Sequence, residues 1–147
     1  MEAVFSMAKE SGSERRQYHR INATLSLAVA DVGASHHEAA ESRIVPRQGC
    51  GRLGLLPHDV NISGGGIAFR KELRVAEGNV IGLYLEFPEG ALPLGPVVLR
   101  LSGVVVRVDP AMGGAPPCIA LQFISLRESI RNLILQAVTA LGKNKSA

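Results

Sequence analysis

The feature that most constrains the fold is a change of hydrophobic period near the C-terminus. Up to about residue 124, apolar and polar residues alternate in short runs that are separated by turns rich in glycine and proline. From residue 130 onward, apolar residues recur every three or four positions. A period of two is typical of half-buried strands, and a period near 3.6 is typical of an amphipathic helix. The sequence therefore predicts an all-β domain with one C-terminal helix.

Six runs have the pattern of strands. The clearest is residues 22–30, where Leu25, Leu27 and Val29 alternate with polar or small residues. The others are a short run ending near Val60 and residues 67–70, 80–87, 97–108 and 119–123. The glycine-rich bend 61–66 is predicted to join the second and third strands as a hairpin. Gly103 lies inside its run and predicts a bulge or tight bend, which would let a small sheet close on itself.

Residues 31–57 contain too many glycines and prolines for a long element, so they are expected to form one long loop. The helix is predicted from an apolar stripe. Its members are Ile130, Leu133, Ile134, Ala137, Val138 and Leu141, while Arg131, Asn132 and Gln136 fall off it. Ser125 and Glu128 have the spacing of a capping box, and Gly142 has the position of a C′ residue. Because the stripe must be buried, the chain is predicted to be a small six-stranded β-barrel capped by this helix.

Length and composition fit one soluble domain. The chain has 147 residues, of which 46% are hydrophobic, so it can bury a core without disulfides or a structural metal. Residues 1–13 show no period and are expected to be a flexible leader, with residues 14–147 forming the domain. The two cysteines and the lack of a signal-peptide pattern favour the cytoplasm. No apolar run reaches 18 residues, so membrane insertion is not expected.

The charge balance limits the class of partner. A net charge of +3 permits an anionic ligand but is low for a nucleic-acid binder. A single-strand nucleic-acid binder is further disfavoured because only 4% of the residues are aromatic and none is Trp. No nucleic-acid partner is therefore expected.

Two short segments carry recognisable chemistry. In the first, Arg15, Arg16 and Arg20 precede the first strand. An arginine can pair bidentately with phosphate or with the O6 and N7 edge of guanine. Composition alone favours a simpler interpretation, a solvated basic turn.

The second segment is the bend with Asn61, Ser63 and Gly66. An amide and a hydroxyl can bind the polar edge of a base, and glycines allow a ligand to approach the backbone. A tight turn would select the same residue types, so this segment alone is weak evidence.

Together, Arg16-x-x-x-Arg20 and Asn61-x-Ser63-x-x-Gly66 resemble the two-part signature of PilZ domains, the bacterial receptors for cyclic di-GMP. The resemblance covers most of the chain from Glu14 onward and includes GGIAF, EGNVIGLYLEFP, SGVVVRV, IALQFISL and the terminal helix. It implies a six-stranded antiparallel β-barrel of the PilZ type capped by a C-terminal helix, no catalytic activity, and a role in second-messenger signalling.

The resemblance also implies roles for individual residues. Arg16 and Arg20 would clamp guanine edges and phosphates from a mobile arm. Asn61 and Ser63 would contact guanine and phosphate from the barrel, and Gly66 would keep the backbone close to the nucleotide. Arg15 is at the family position associated with an intercalated ligand dimer, so two nucleotides per protein are favoured.

Two departures from the family pattern bear on affinity and partners. Asn61 stands where the family often has Asp, and an amide lacks the carboxylate charge, which lowers the expected affinity. The 40 residues between Arg20 and Asn61 are more than the family usually has. The surplus lies in the long loop, which could be an accessory partner surface or a cover for the ligand.

Other motifs carry less weight. Residues 49–54 match GxGxxG, but they neither follow a clear strand nor open a helix as a dinucleotide site requires. His36, His37, Cys50 and His58 have no recognised zinc spacing, so no metal is expected. No nucleophile, base and orienting group recur at a known spacing, so neither an enzyme nor a cofactor is expected.

The sequence thus predicts a bacterial cyclic di-GMP receptor that signals to an effector protein. Family membership suggests control of motility, pili, adhesion or exopolysaccharide. The alternative is a PilZ-like adaptor that binds only protein.

Overall fold

The computed structural model describes residues 18–34 and 39–146, with nothing described for the side chains of the last three of these. The leader 1–13 and the domain boundary proposed at residue 14 lie outside the described residues. The described chain forms seven strands and one α-helix. They are β1 (Arg20–Gly33), β2 (Arg43–Ile44), β3 (Leu56–Ser63), β4 (Gly66–Arg70), β5 (Val80–Phe87), β6 (Val97–Asp109), β7 (Cys118–Ile124) and α1 (Glu128–Ser146).

Six of these strands close into an antiparallel barrel. The hydrogen-bonded order is β6-β5-β1-β3-β4-β7, and β6 also pairs with β7. The predicted six-stranded barrel with a C-terminal helix is confirmed, and β2 is an additional strand outside it. The hairpin predicted at the glycine-rich bend is confirmed as β3–β4.

The barrel interior and the helix share one hydrophobic core. Leu83, Leu85 and Leu99 from the strands are fully buried, and Ile134 and Ala137 of α1 belong to the same cluster. The predicted helical stripe is confirmed, because its members are buried or partly buried against the strands. Burial of this stripe against the strands is what stabilises a helix of this length.

Two strands differ in detail from the sequence prediction. β1 begins at Arg20 and ends at Gly33, so it is longer than 22–30, because it pairs with β3 along one edge and with β5 along the other. The irregularity of β6 lies between Val105 and Arg107 rather than at Gly103. A Cβ at Gly103 would lie 2.9 Å from the Cβ of Leu121, so this glycine permits close side-chain packing.

The segment 31–57 is only partly a loop, which corrects the prediction. Its central residues pair with β6, since Arg43 lies opposite Arg100 and Ile44 opposite Leu99. A 3-10 turn, Arg47–Arg52, follows. A two-residue strand leaves no periodic pattern in the sequence, which is why β2 was missed. The hydrogen bonds of residues 40–45 place this part of the segment along β6.

The start of α1 is capped by a residue that is distant in sequence. Ser42 is 1% exposed, and its Oγ accepts a hydrogen bond from the Arg127 N–H at 2.9 Å. Its own N–H donates to the Ser125 carbonyl at 3.1 Å. The predicted capping box at Ser125 is wrong, because Ser125 has a φ of 53° and is exposed. The predicted helix end at Gly142 is also wrong, since α1 continues to Ser146.

No helix within residues 18–34 and 39–146 is long and apolar enough to cross a bilayer.

Candidate ligand-binding site

The register of β1 and β3 brings the two sequence motifs together. Arg20 lies opposite Ser63, and Asn22 lies opposite Asn61. Between these pairs Ile21 is buried inside the barrel. Because side chains alternate across a strand, Arg20, Asn22, Asn61 and Ser63 belong to the outer face. Two segments that are 40 residues apart therefore form one surface.

Asn61 is oriented by its neighbour on β1. Its Nδ2 donates a hydrogen bond to Oδ1 of Asn22 at 3.0 Å. This bond fixes the plane of the amide and directs the other end of the group, the Asn61 carbonyl oxygen, away from Asn22. A carbonyl oxygen there can accept a hydrogen bond from the N1–H or N2–H of a guanine.

Ser63 has a similar internal bond. Its Oγ accepts a hydrogen bond from the Gly65 N–H at 3.1 Å, which is the geometry of a serine turn. A hydroxyl that accepts one bond can still donate its proton. Ser63 can therefore donate to a phosphate or base oxygen while it keeps the turn in place.

Gly66 is held against β7. It lies opposite Gln122, and a Cβ at this position would overlap the carbonyl oxygen of Leu121. The Phe123 N–H donates to the Gly65 carbonyl at 3.0 Å, so the end of the turn is hydrogen-bonded to β7. Strand packing alone requires a glycine here, whether or not a ligand approaches.

A groove of about 570 Å³ runs along the outer face of β1, β3 and β4. Its polar lining is Asn22, Thr24, Asp59, Asn61 and Arg70. Thr24 Oγ1 donates to Asp59 Oδ1 at 2.7 Å, and Arg70 Nη1 donates to the Pro116 carbonyl at 2.9 Å. Sequence reasoning identified only Asn61 among these. The sequence does mark the other residues, because each lies two positions from the next along a strand whose alternate residues are buried.

The family model described as PilZ domain matches residues 14–140. The chain belongs to the PilZ domain family. The match covers both motifs and all elements from β1 to most of α1.

Known structures show the same PilZ fold. The inhibitor of motility MotI/DgrA from Bacillus subtilis superposes with a TM-score of 0.61 at 20% identity, over 89% of this chain and 52% of that one. A tetrameric PilZ domain from Xanthomonas campestris, described as self-assembled via a helical bundle, gives 0.58 at 18% identity, over 90% of this chain and 92% of that one. YcgR from Escherichia coli in complex with c-di-GMP gives 0.54 at 12% identity, over 90% of this chain and 48% of that one.

The chain spans about half the length of MotI/DgrA and of YcgR. A search of curated protein sequences gives no significant match. PilZ domains are binding and adaptor domains, which agrees with the class of function expected from the sequence.

The PilZ arginine motif is only partly described. Arg15 and Arg16 lie outside the described residues, and Arg20 is exposed at the start of β1. Tyr18, between Arg16 and Arg20, is half-buried against the turn of the second motif. Arg131 of α1 also contacts this turn. Neither Tyr18 nor Arg131 was predicted from the sequence. Tyr18 is at a position of the arginine motif to which the family pattern assigns no role, and Arg131 lies outside the apolar stripe of the helix.

The discounted motifs remain unsupported as sites. Gly49 and Gly51 of the GxGxxG match belong to the 3-10 turn Arg47–Arg52, which does not have the strand-to-helix geometry of a dinucleotide site. In the described part of the chain, no group of three or more His, Cys, Asp or Glu could hold a metal. His36 and His37 lie outside the described residues.

Proposed function

We propose that this PilZ domain is a receptor for cyclic di-GMP. The observation that carries the proposal is the register of β1 and β3, which places Arg20 opposite Ser63 on the outer face. The next pair along the strands, Asn22 and Asn61, borders the groove. A cationic fork, a hydroxyl donor and an amide acceptor thus lie on one surface, and a guanine nucleotide presents the matching groups.

The residues have complementary tasks in this proposal. Arg16 and Arg20 pair with guanine edges and phosphates, while Ser63 donates to the nucleotide. Asn61 accepts from the guanine N1–H or N2–H through the oxygen that its bond to Asn22 leaves exposed to a ligand. Arg15 would hold the second nucleotide of an intercalated dimer. The nucleotide acts as a signal and not as a cofactor of a reaction.

Binding would order the arginine arm over the barrel, and this change would be recognised by an effector protein. An ordering transition of this kind changes the surface offered to a partner. The structural neighbours support this class of role, because one is an inhibitor of motility and another is solved with c-di-GMP. We place the protein in the bacterial cytoplasm, where it would act on motility, pili, adhesion or exopolysaccharide.

The proposal is tested by titrating the protein with cyclic di-GMP in a calorimeter. Arg16→Ala is expected to weaken binding about 10- to 100-fold, because it removes charge-assisted hydrogen bonds. Asn61→Ala is expected to weaken it about 5- to 10-fold, through loss of one neutral hydrogen bond. Arg43→Ala is the matched control, since it removes an exposed arginine from β2, which pairs with β6 rather than with β1 or β3. It should leave the affinity nearly unchanged.

The stoichiometry and a null result are both informative. A ratio near two nucleotides per chain supports the intercalated dimer, whereas a ratio near one removes Arg15 from the proposal. If the folded wild-type protein shows no binding, the receptor proposal is wrong. The alternative, a PilZ-like adaptor that binds only protein, would then take its place.

A further inference from the structure

The aromatic ring of Tyr18 lies over the turn that carries the second motif. A Cβ on Gly64 would be 3.2 Å from Cδ1 of Tyr18, and a Cβ on Gly65 would be 3.3 Å from Cδ2. The ring therefore covers both glycines. Tyr18 is two residues from Arg20, so its Cα is at most about 7 Å from that of Arg20.

The guanidinium of Arg131 contacts both the ring and the turn. Nη1 of Arg131 donates a hydrogen bond to the Gly64 carbonyl at 2.7 Å. Its Cζ lies 5.2 Å from the centroid of the Tyr18 ring, which is within the range of a cation–π interaction. One side chain from α1 thus joins the arginine motif to the Asn-Ser-Gly motif.

Gly64 supports the same arrangement independently. A Cβ there would come within 2.6 Å of Leu135 on the helix as well as near the Tyr18 ring. Gly64 does not have a left-handed φ, so its backbone conformation does not by itself demand glycine. The space around Gly64 is instead filled by Tyr18 and the helix, which explains why position 64 carries no side chain.

We propose that Arg131 is a positioning residue for the nucleotide site, acting through Tyr18. It holds Tyr18 against the β3–β4 turn, so that the chain leading into Arg20 is already in place beside Ser63 when the nucleotide arrives. Pre-positioning lowers the conformational entropy lost on binding and so raises affinity. This inference rests on the proposed function, because its measurable effect is on cyclic di-GMP affinity.

The position of Arg131 on α1 has a thermodynamic consequence. Coupling between two events is reciprocal, so a nucleotide that needs Tyr18 in place also stabilises its contact with Arg131. Nucleotide binding would therefore be communicated to the helix through this guanidinium.

A double-mutant cycle on nucleotide affinity tests the inference. Tyr18→Leu and Arg131→Ala are each expected to weaken binding about fivefold, the effect of losing a cation–π contact of ordinary strength. The double variant should be no weaker than about fivefold, because both substitutions remove the same contact. Tyr18→Phe keeps the ring and should bind with wild-type affinity. If the Tyr18 hydroxyl were the important group, this variant would bind more weakly.

Controls separate positioning from general effects. Arg127→Ala removes a positive charge four residues before Arg131. It should change affinity less than twofold, since the Arg127 side chain is exposed and makes no hydrogen bond or ion pair in the described part of the chain. Melting temperatures without nucleotide show whether each variant is folded. Should Arg131→Ala fail to fold, the comparison of Tyr18→Leu with Tyr18→Phe decides, because both keep the bond from Arg131 to Gly64.

Two results would contradict the inference directly. Unchanged affinity in Tyr18→Leu would show that the ring does not position the arm. Additive losses, about 25-fold in the double variant, would show that Arg131 acts on the ligand independently of Tyr18. If the wild-type protein binds cyclic di-GMP and Tyr18→Leu and Arg131→Ala bind it with the same affinity, the inference fails but the proposed function stands. If the wild-type protein does not bind, the proposed function fails and the inference with it.

Discussion

Asn61 and Ser63 are oriented by hydrogen bonds within the barrel. Asn22 fixes the amide of Asn61, and the Gly65 N–H fixes the oxygen of Ser63. Polar side chains held in this way lose little rotamer freedom when a ligand binds. In the proposed nucleotide site, an amide already in place at position 61 is expected to offset part of the affinity that a carboxylate charge would have supplied.

Gly66→Ala is expected to destabilise the fold by about 1–3 kcal/mol, the usual cost of forcing extra volume into a packed site. The new Cβ would overlap the Leu121 carbonyl oxygen, which belongs to the backbone and cannot move aside easily. Urea unfolding measures the free-energy difference. Gly51→Ala is the control, since a Cβ there has no heavy atom within 4 Å. Equal stability of the two variants would refute a packing role for Gly66.

The motif residues could be named from the sequence, but their partners could not. Asn61 and Ser63 are recognisable because the family pattern fixes their spacing. Asn22 on β1 bonds to Asn61, and Arg131 on α1 bonds to the Gly64 carbonyl of the same turn. No local pattern marks either contact. Long-range contacts of single side chains are set by tertiary packing, which periodicity does not describe.

Among the elements, the connection between β1 and β3 stabilises the start of the helix. Its buried residue Ser42 bonds to the Arg127 N–H and to the Ser125 carbonyl. The strand β2 that follows is fixed to β6. This segment thus has a structural role in the domain, whatever partner the remainder of the loop contacts.

Ser42→Ala is expected to lower the free energy of unfolding by about 1–2 kcal/mol, the cost of losing a helix cap. Ser125→Ala should cost less than about 0.5 kcal/mol, because Ser125 is exposed and the Arg127 N–H is bonded to Ser42 instead. Thermal unfolding followed by circular dichroism compares the two. A larger loss in Ser125→Ala would instead support the capping box predicted from the sequence.

The strands and the helix stripe could be predicted because each buries one face, which gives alternation in one case and a 3.6-residue period in the other. Leu25 in β1 and Ile134 in α1 show this directly. Both are buried, as the alternation of the strand and the period of the helix required. β2 and the Ser42 cap could not be predicted. Both depend on a neighbour far away in sequence, and neither is long enough to have a period.

For the molecule as a whole, the proposed signal is a change in the arginine arm. Saturating cyclic di-GMP is expected to slow tryptic cleavage after Arg15 and Arg16 by about tenfold or more, because an arm held on the nucleotide is a poor protease substrate. Mass spectrometry of timed digests measures this rate. Cleavage should be unaffected by GMP, and Asn61→Ala should require more cyclic di-GMP for protection. A rate that does not respond to the nucleotide would contradict arm ordering.

The pairing of β1 with β3 also determines how relatives of this chain can be found. Eight residue pairs, from Arg20 opposite Ser63 to Leu27 opposite Leu56, set the alignment of the two motifs. The connection joins the strands at the end away from the motifs, so its length does not affect that alignment. Insertions can accumulate there during evolution while the binding surface stays intact. A pattern search for this family should therefore leave the distance between the two motifs open.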